Sequence, residues 1–120
     1  MVATALLVDD HAGFRAQARV LLAAAGFDPV VEAEDAAAAL ETARTLRPHV
    51  ILLDVQLPDG NGFEVARAIL EADDAPVVIL TSSREASDYG ARIDRSGARG
   101  FISKAELSAD AITALVHRDP

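Results

Sequence analysis

Three stretches end abruptly in polar groups: the short β-type run Thr4–Val8 before Asp9-Asp10, and the apolar runs Val50–Leu53 before Asp54 and Val77–Leu80 before Thr81-Ser82-Ser83. Apolar runs without alternation predict strands buried on both faces, as in the interior of a parallel sheet. Between them the period changes. Phe14, Ala18, Leu21, Leu22 and Ala25 recur at helical spacing, with Arg15, Gln17 and Arg19 on the other side, and Gly26 is placed to stop that helix. Pro29–Glu34 predicts a weaker strand at a sheet edge, because Pro cannot donate to a ladder. Asp35 can cap a helix running to about Leu46, which Pro48 closes.

After Asp54, Pro58 to Gly62 interrupt the pattern as a turn, and a helix follows from Gly62 to about Ala72 with Phe63, Ala66, Ile69 and Leu70 inward. Glu85–Ser96 predicts a polar helix with Gly90 in its middle, anchored by Tyr89 and Ile93. Gly97-Ala98 leads into a short strand, Gly100–Ser103, followed by Lys104. Leu107, Ala111, Ile112 and Leu115 mark a last helix that runs out near Asp119-Pro120. Strands alternating with helices through short connections predict an α/β fold, a parallel sheet with helices on both faces.

At 120 residues the chain has room for one domain, residues 1–120, and no second, output domain is expected in it. The apolar share of 51% excludes a disordered chain. A net charge of −8 argues against direct nucleic-acid or anionic-membrane binding, and four Phe, one Tyr and no Trp argue against a base-stacking platform. Without cysteine there is neither a disulfide nor a thiolate site. The first apolar run is cut off by Asp9-Asp10 and lacks a basic leader, so it reads as a strand and not a signal peptide. A cytoplasmic location is expected.

Strand ends gather on one edge of a parallel sheet, where ligands bind in open α/β folds. Here that edge collects Asp9, Asp10, Asp54, Thr81, Ser82 and Lys104. Converging carboxylates repel one another unless a cation sits among them, and an all-oxygen set points to Mg²⁺. Alone, each residue has a plainer explanation: Asp54 as a turn residue, Lys104 as a solvated lysine, and Asp9-Asp10 as the cap region of the Phe14 helix. Their joint arrival at one edge favours chemistry. Gly60-Asn61-Gly62 imitates the start of a dinucleotide fingerprint, but Val65 stands where the third glycine belongs, and no cofactor-binding residues of that kind are expected. His11, His49 and His117 are scattered, with His11 at the rim of the acidic edge.

Taken together, Val8-Asp9-Asp10, Leu53 through Gly62, Pro76 through Ser82 and Gly97 through Lys104 make the sequence resemble the receiver domain of bacterial two-component response regulators over nearly its whole length. The resemblance implies a flavodoxin-like, doubly wound (βα)5 fold with strand order 2-1-3-4-5. It makes Asp54 the phosphoacceptor, and Asp10, Asp54 and the Gln56 backbone carbonyl the Mg²⁺ ligands, with Asp9 acting through water. Lys104 would pair with the phosphoryl group. Ser82 is the expected switch hydroxyl by its spacing from Asp54 and Lys104, whereas counting from Pro76 selects Thr81. Phe101 matches the switching aromatic, and Gln56 and Arg84 match positions that tune phosphoryl lifetime. The family's usual Pro after the lysine is Ala105 here, so no cis peptide is expected at that bond.

Implied partners are a sensor histidine kinase or phosphotransfer protein and an unidentified output protein or domain, with homodimerisation on phosphorylation. The implied role is a signalling switch, not an enzyme. Two other readings stay open: a receiver-like module that binds without phosphorylation, and an aspartyl-phosphate phosphatase, which would need a second acid where Gln56 stands.

Overall fold

The structure is a computed structural model that describes residues 3–117. The strands are β1 (Ala3–Val8), β2 (Phe27–Ala33), β3 (Val50–Asp54), β4 (Gln56–Leu57), β5 (Gly60–Asn61), β6 (Val77–Ser82) and β7 (Gly100–Ser103). The helices are α1 (Ala12–Ala24), α2 (Ala36–Leu46), α3 (Gly62–Leu70), α4 (Ala91–Ser96) and α5 (Ala109–Val116). Five strands pair in parallel in the order β2-β1-β3-β6-β7. With the two-residue ladder of β4 and β5 set aside, this is the expected 2-1-3-4-5 order.

Every residue of β3 is buried. The reason is its central place between two layers of helix. Leu6, Val8, Ile51, Leu53, Val78 and Leu80 face Ala39, Phe63, Ala66 and Ile69 of α2 and α3. The alternate residues Ala5, Leu7, Val50, Leu52 and Ile79 face Ala18 and Leu22 of α1 and Ile112 of α5. Successive side chains of a strand point to opposite faces, so a two-sided core demands the unbroken apolar runs seen in the sequence.

Gly26 follows the end of α1 with φ 101°, as a helix stop. The second strand does lie at an edge, but it begins at Phe27 rather than Pro29. Ala3 pairs with Phe27 and Ala5 with Val30, so an extra residue around the cis Asp28–Pro29 peptide is taken up as a bulge. The third helix ends at Leu70, two residues short of the expected Ala72.

The largest departure lies in the 85–96 segment. It does not form one helix. A 3-10 turn at Ala86–Asp88 precedes α4, and Gly90 between them takes φ 57° and ψ −132°, outside any helical region. Asp88 holds the turn by accepting from the Glu85 amide over 3.1 Å. Tyr89 and Ile93 still pack on the sheet as the expected anchors. The last helix likewise starts later than Leu107 suggests. Lys104–Glu106 form a 3-10 turn, and Ser108 caps α5 by accepting from the Ala111 amide at 3.0 Å. Asp119 and Pro120 lie outside the described residues.

The turn after Asp54 is tied to two helix starts. Asn61 caps α3, accepting from the Glu64 amide at 3.0 Å. Asp59 reaches across to α2, where its two oxygens accept from the Ala36 and Ala37 amides at 2.7 and 3.1 Å. Gly62 packs directly on the strand end: a Cβ there would overlap the Asp54 carbonyl oxygen and lie 3.0 Å from Val55 Cα. Gly62→Ala is therefore expected to cost about 1–3 kcal/mol in urea unfolding, as overpacking against fixed backbone does. Gly13→Ala, in α1 with nothing within 4 Å, is expected to be neutral or to stabilise.

Candidate functional site

β1 and β3 are neighbours, so their ends bring Asp9 and Asp54 side by side, and the chain leaving β7 supplies Lys104. Asp9 and Asp54 are both buried, at 0% and 3% exposure. Lys104 Nζ lies 2.7 Å from Asp9 Oδ2 and 3.3 Å from Asp54 Oδ2. Its ammonium also sits 4.3 Å from the centroid of the Phe14 ring, a cation–π contact from α1. One ammonium thus bridges two carboxylates at the end of the central strand.

The oxygens are divided between structure and site. Asp9 Oδ1 accepts from the His11 amide at 2.8 Å where α1 begins, while Oδ2 meets Lys104. Asp9 thus ties the residue before α1 with one oxygen and faces the lysine with the other, while the N-cap position of α1 is His11 and carries no side-chain cap. Asp54 Oδ1 accepts from the Gln56 amide at 3.1 Å, and Oδ2 faces Lys104. Asp10 lies at the rim, exposed, with its Oδ1 3.1 Å from His11 Nδ1. Of the Asp9-Asp10 pair, Asp9, which the resemblance assigns a water-mediated part, is the buried one paired with Lys104, and Asp10 is the more accessible.

Burial pushes the Asp54 carboxyl up to about 6, Asp9 adding to the rise and the Gln56 amide and Lys104 opposing it. For Asp9, burial acts upward but is outweighed by Lys104 and the His11 amide, and its pKa falls below the ordinary value. Burial works to deprotonate Lys104, yet the two carboxylates more than compensate and raise its pKa. One cation cannot neutralise two buried anions.

A cation would complete the balance. Asp9, Asp10, His11 and Asp54 each offer a ligand atom, and these atoms lie within 4.8 Å of one another. Three carboxylates make a hard-oxygen donor set that fits Mg²⁺. The Gln56 carbonyl belongs to the two-residue β4, which pairs Gln56 with Asn61.

The two candidate hydroxyls part company. Thr81 is the Cα partner of Asp54 across β3 and β6, and its buried Oγ1 has no hydrogen-bond partner among the described residues. Ser82, one residue on, bonds instead to the hydroxyl of Tyr89 at 2.7 Å and accepts from the Arg84 amide at 3.1 Å. Phe101 is half-buried, its ring 5.8 Å from that of Tyr89. Sequence reasoning took Tyr89 as a packing anchor only. Its hydroxyl role has no periodic signature, and the broken helix sets its position.

The raised Asp54 pKa has a thermodynamic consequence. The folded chain holds this proton up to about pH 6, whereas an unfolded Asp releases it near 3.8. Between those values the native state binds more protons, so this group's contribution to stability falls as pH rises through the window and stays lost above it. Asp9, with its lowered pKa, acts oppositely and at more acid pH. In metal-free buffer, Asp54→Asn is expected to raise stability at neutral pH by roughly 1–3 kcal/mol and to flatten its slope between about pH 4 and 6, measured by urea unfolding.

The chain is similar to known proteins in sequence and in fold. The family model "Response regulator receiver domain" matches residues 5–117. The Escherichia coli DNA-binding transcriptional activator EvgA is 29% identical over 92% of the chain and 54% of its own length. The transcriptional regulatory protein DegU of Brevibacillus brevis is 31% identical over 92% of the chain and 47% of its own length. The chain spans about half the length of these curated relatives. A solved two-component response regulator of the LuxR family from Aurantimonas superposes with a TM-score of 0.84 at 30% identity, covering 97% of this chain and 86% of that one. With its fold, its acidic strand-end site and a family match across almost all its length, the chain belongs to the response regulator receiver domains.

Proposed function

We propose that this chain is a phosphorylation-dependent signalling switch in which Asp54 accepts a phosphoryl group from the phosphohistidine of a sensor histidine kinase or phosphotransfer protein. The observation that carries the reading is a buried Asp54, raised in pKa and sharing one lysine with a second buried acid. Such a charge imbalance is a cost that a structural carboxylate would not need.

An Asp54 carboxylate oxygen attacks phosphorus as the phosphorus–nitrogen bond to the donor imidazole breaks, the leaving nitrogen keeping the electron pair. The carboxylate must be ionised to attack, which a pKa of about 6 allows at neutral pH. The Gln56 amide, bonded to Oδ1, orients the carboxylate. Lys104, already 3.3 Å from Oδ2, stands where it can follow the charge onto the phosphoryl oxygens. Asp10, Asp54 and the Gln56 carbonyl would hold Mg²⁺, with Asp9 through water, and the bound ion would supply neutralisation of the phosphoryl charge. Ser82 is the hydroxyl assigned to meet the phosphoryl group, and Phe101 the aromatic that follows it. The Gln56 and Arg84 side chains, both exposed, are placed to influence how long the acyl phosphate survives.

The added charge of about −1.5 to −2 then biases the face formed by α4, β7 and α5, on which an output partner or a second copy would dock. In this reading the chain is a cytoplasmic signalling module and not a turnover enzyme. Among the described residues, no helix is long and apolar enough to cross a membrane.

With Mg²⁺ and acetyl phosphate, the intact chain is expected to gain the mass of one phosphoryl group. Chelation of the metal or Asp54→Asn should abolish the gain, and Lys104→Ala should slow it by at least about tenfold. No gain under any donor would replace the switch with a phosphorylation-independent interaction module. Sustained phosphate release from unrelated phosphomonoesters would replace it with a phosphatase.

A further inference from the structure

Ser82 is fully buried, and its hydroxyl is already engaged. Tyr89 Oη lies 2.7 Å from it, and the Arg84 amide donates to the same oxygen. Strand alternation explains the direction. Leu80 and Ser82 share a face of β6, the face on which Phe63, Tyr89 and Phe101 pack, while Thr81 and the paired Asp54 take the opposite parity. The hydroxyl assigned to the phosphoryl group is therefore held toward the aromatic side.

The holder is itself well braced. The Tyr89 ring meets Phe63 edge-on at 5.3 Å and Phe101 at 5.8 Å, and the Arg92 guanidinium covers Phe63 at 4.6 Å from its centroid. Tyr89 is half-buried, closes the 3-10 turn, and is followed by Gly90 at positive φ. A Phe at position 101 has no polar atom with which to hold Ser82; the phenol at 89 does.

We propose that Tyr89 is a positioning residue for the switch: its hydroxyl competes with the phosphoryl group on Asp54 for the hydroxyl of Ser82. In this arrangement Ser82, which already accepts from the Arg84 amide, gives its one proton to the Tyr89 oxygen, and phosphorylation must turn that proton to the phosphoryl oxygens, breaking the Ser82–Tyr89 hydrogen bond. The released phenol then loses its partner on the protein, and its shift carries the event to Phe63, Phe101 and the start of α4. Tyr89 thereby sets how strongly the unphosphorylated state resists activation. This inference rests on Ser82 being the hydroxyl that meets the phosphoryl group.

The test uses beryllofluoride with Mg²⁺, a mimic of the acyl phosphate that needs no donor. Tyr89→Phe keeps the ring stack and deletes only the competing hydroxyl, so it should bind the mimic roughly threefold to tenfold more tightly than wild type, the range of one hydrogen bond. In a Ser82→Ala background, Tyr89→Phe should change nothing. Because Tyr89 is the chain's single tyrosine and there is no Trp, the phenol's own near-ultraviolet absorbance and fluorescence report its hydrogen bond directly. That signal should change when the wild-type protein binds the mimic, and should not change in Ser82→Ala. Equal affinities for Tyr89→Phe and wild type, an unchanged wild-type tyrosine signal on binding, or a Tyr89→Phe gain that persists without Ser82 would each overturn the proposal. Wild-type protein that takes up no beryllofluoride would overturn the phosphoacceptor reading itself, and this inference with it.

Discussion

Two carboxylates and one ammonium share the dry end of the central strand, and their charges do not cancel. Asp9 and Asp54 have given up hydration, and Lys104 lies within 3.3 Å of both. Taking charges out of water costs several kcal/mol per ion unless pairing and hydrogen bonds return it. Here the return is uneven: Asp9 is held in its ionised form, while Asp54 is pushed toward its protonated one. The residue with the unpaid charge is the one from which the chemistry is proposed to proceed.

The surrounding fold can be understood as support for that imbalance. β3 is buried from end to end, so Asp54 cannot swing out to water without disturbing the core. Gly62 lets the returning chain pack against the Asp54 carbonyl, and Asp59 pins the same turn to the start of α2. Phe14 of α1 lies under the Lys104 ammonium and limits where it can go. Elements from both layers of helix thus constrain one small volume. Stability is spent at the site and recovered in the aliphatic layers on either side of the sheet.

Much of this was legible in the chain itself. The unbroken apolar runs at Leu6–Val8, Val50–Leu53 and Val77–Leu80 follow from a sheet covered on both faces, and a polar residue after each run must lie on a common edge. That was enough to bring Asp9, Asp54 and Thr81 together, and the short Gly100–Ser103 strand adds Lys104 to the same edge. What escaped depends on local backbone or on single atoms. The 85–96 segment has helical composition, but Gly90 takes a backbone conformation that splits it, and no period announces that choice. The two oxygens of Asp9 serve different partners, which residue identity alone does not reveal. Tyr89 reads in the sequence as an apolar anchor, and only the broken helix brings its hydroxyl to Ser82.

The central claim is that Asp54, and no other group at the strand edge, becomes the acyl phosphate. Borohydride reduction tests it most directly, since it converts an aspartyl phosphate to homoserine and leaves free carboxylates and phosphoserines untouched. After incubation with a phosphodonor and Mg²⁺, reduction and peptide sequencing should place homoserine at position 54. Homoserine at 9 or 10, or a reduction-resistant phosphate on Ser82 or Ser83, would contradict the account.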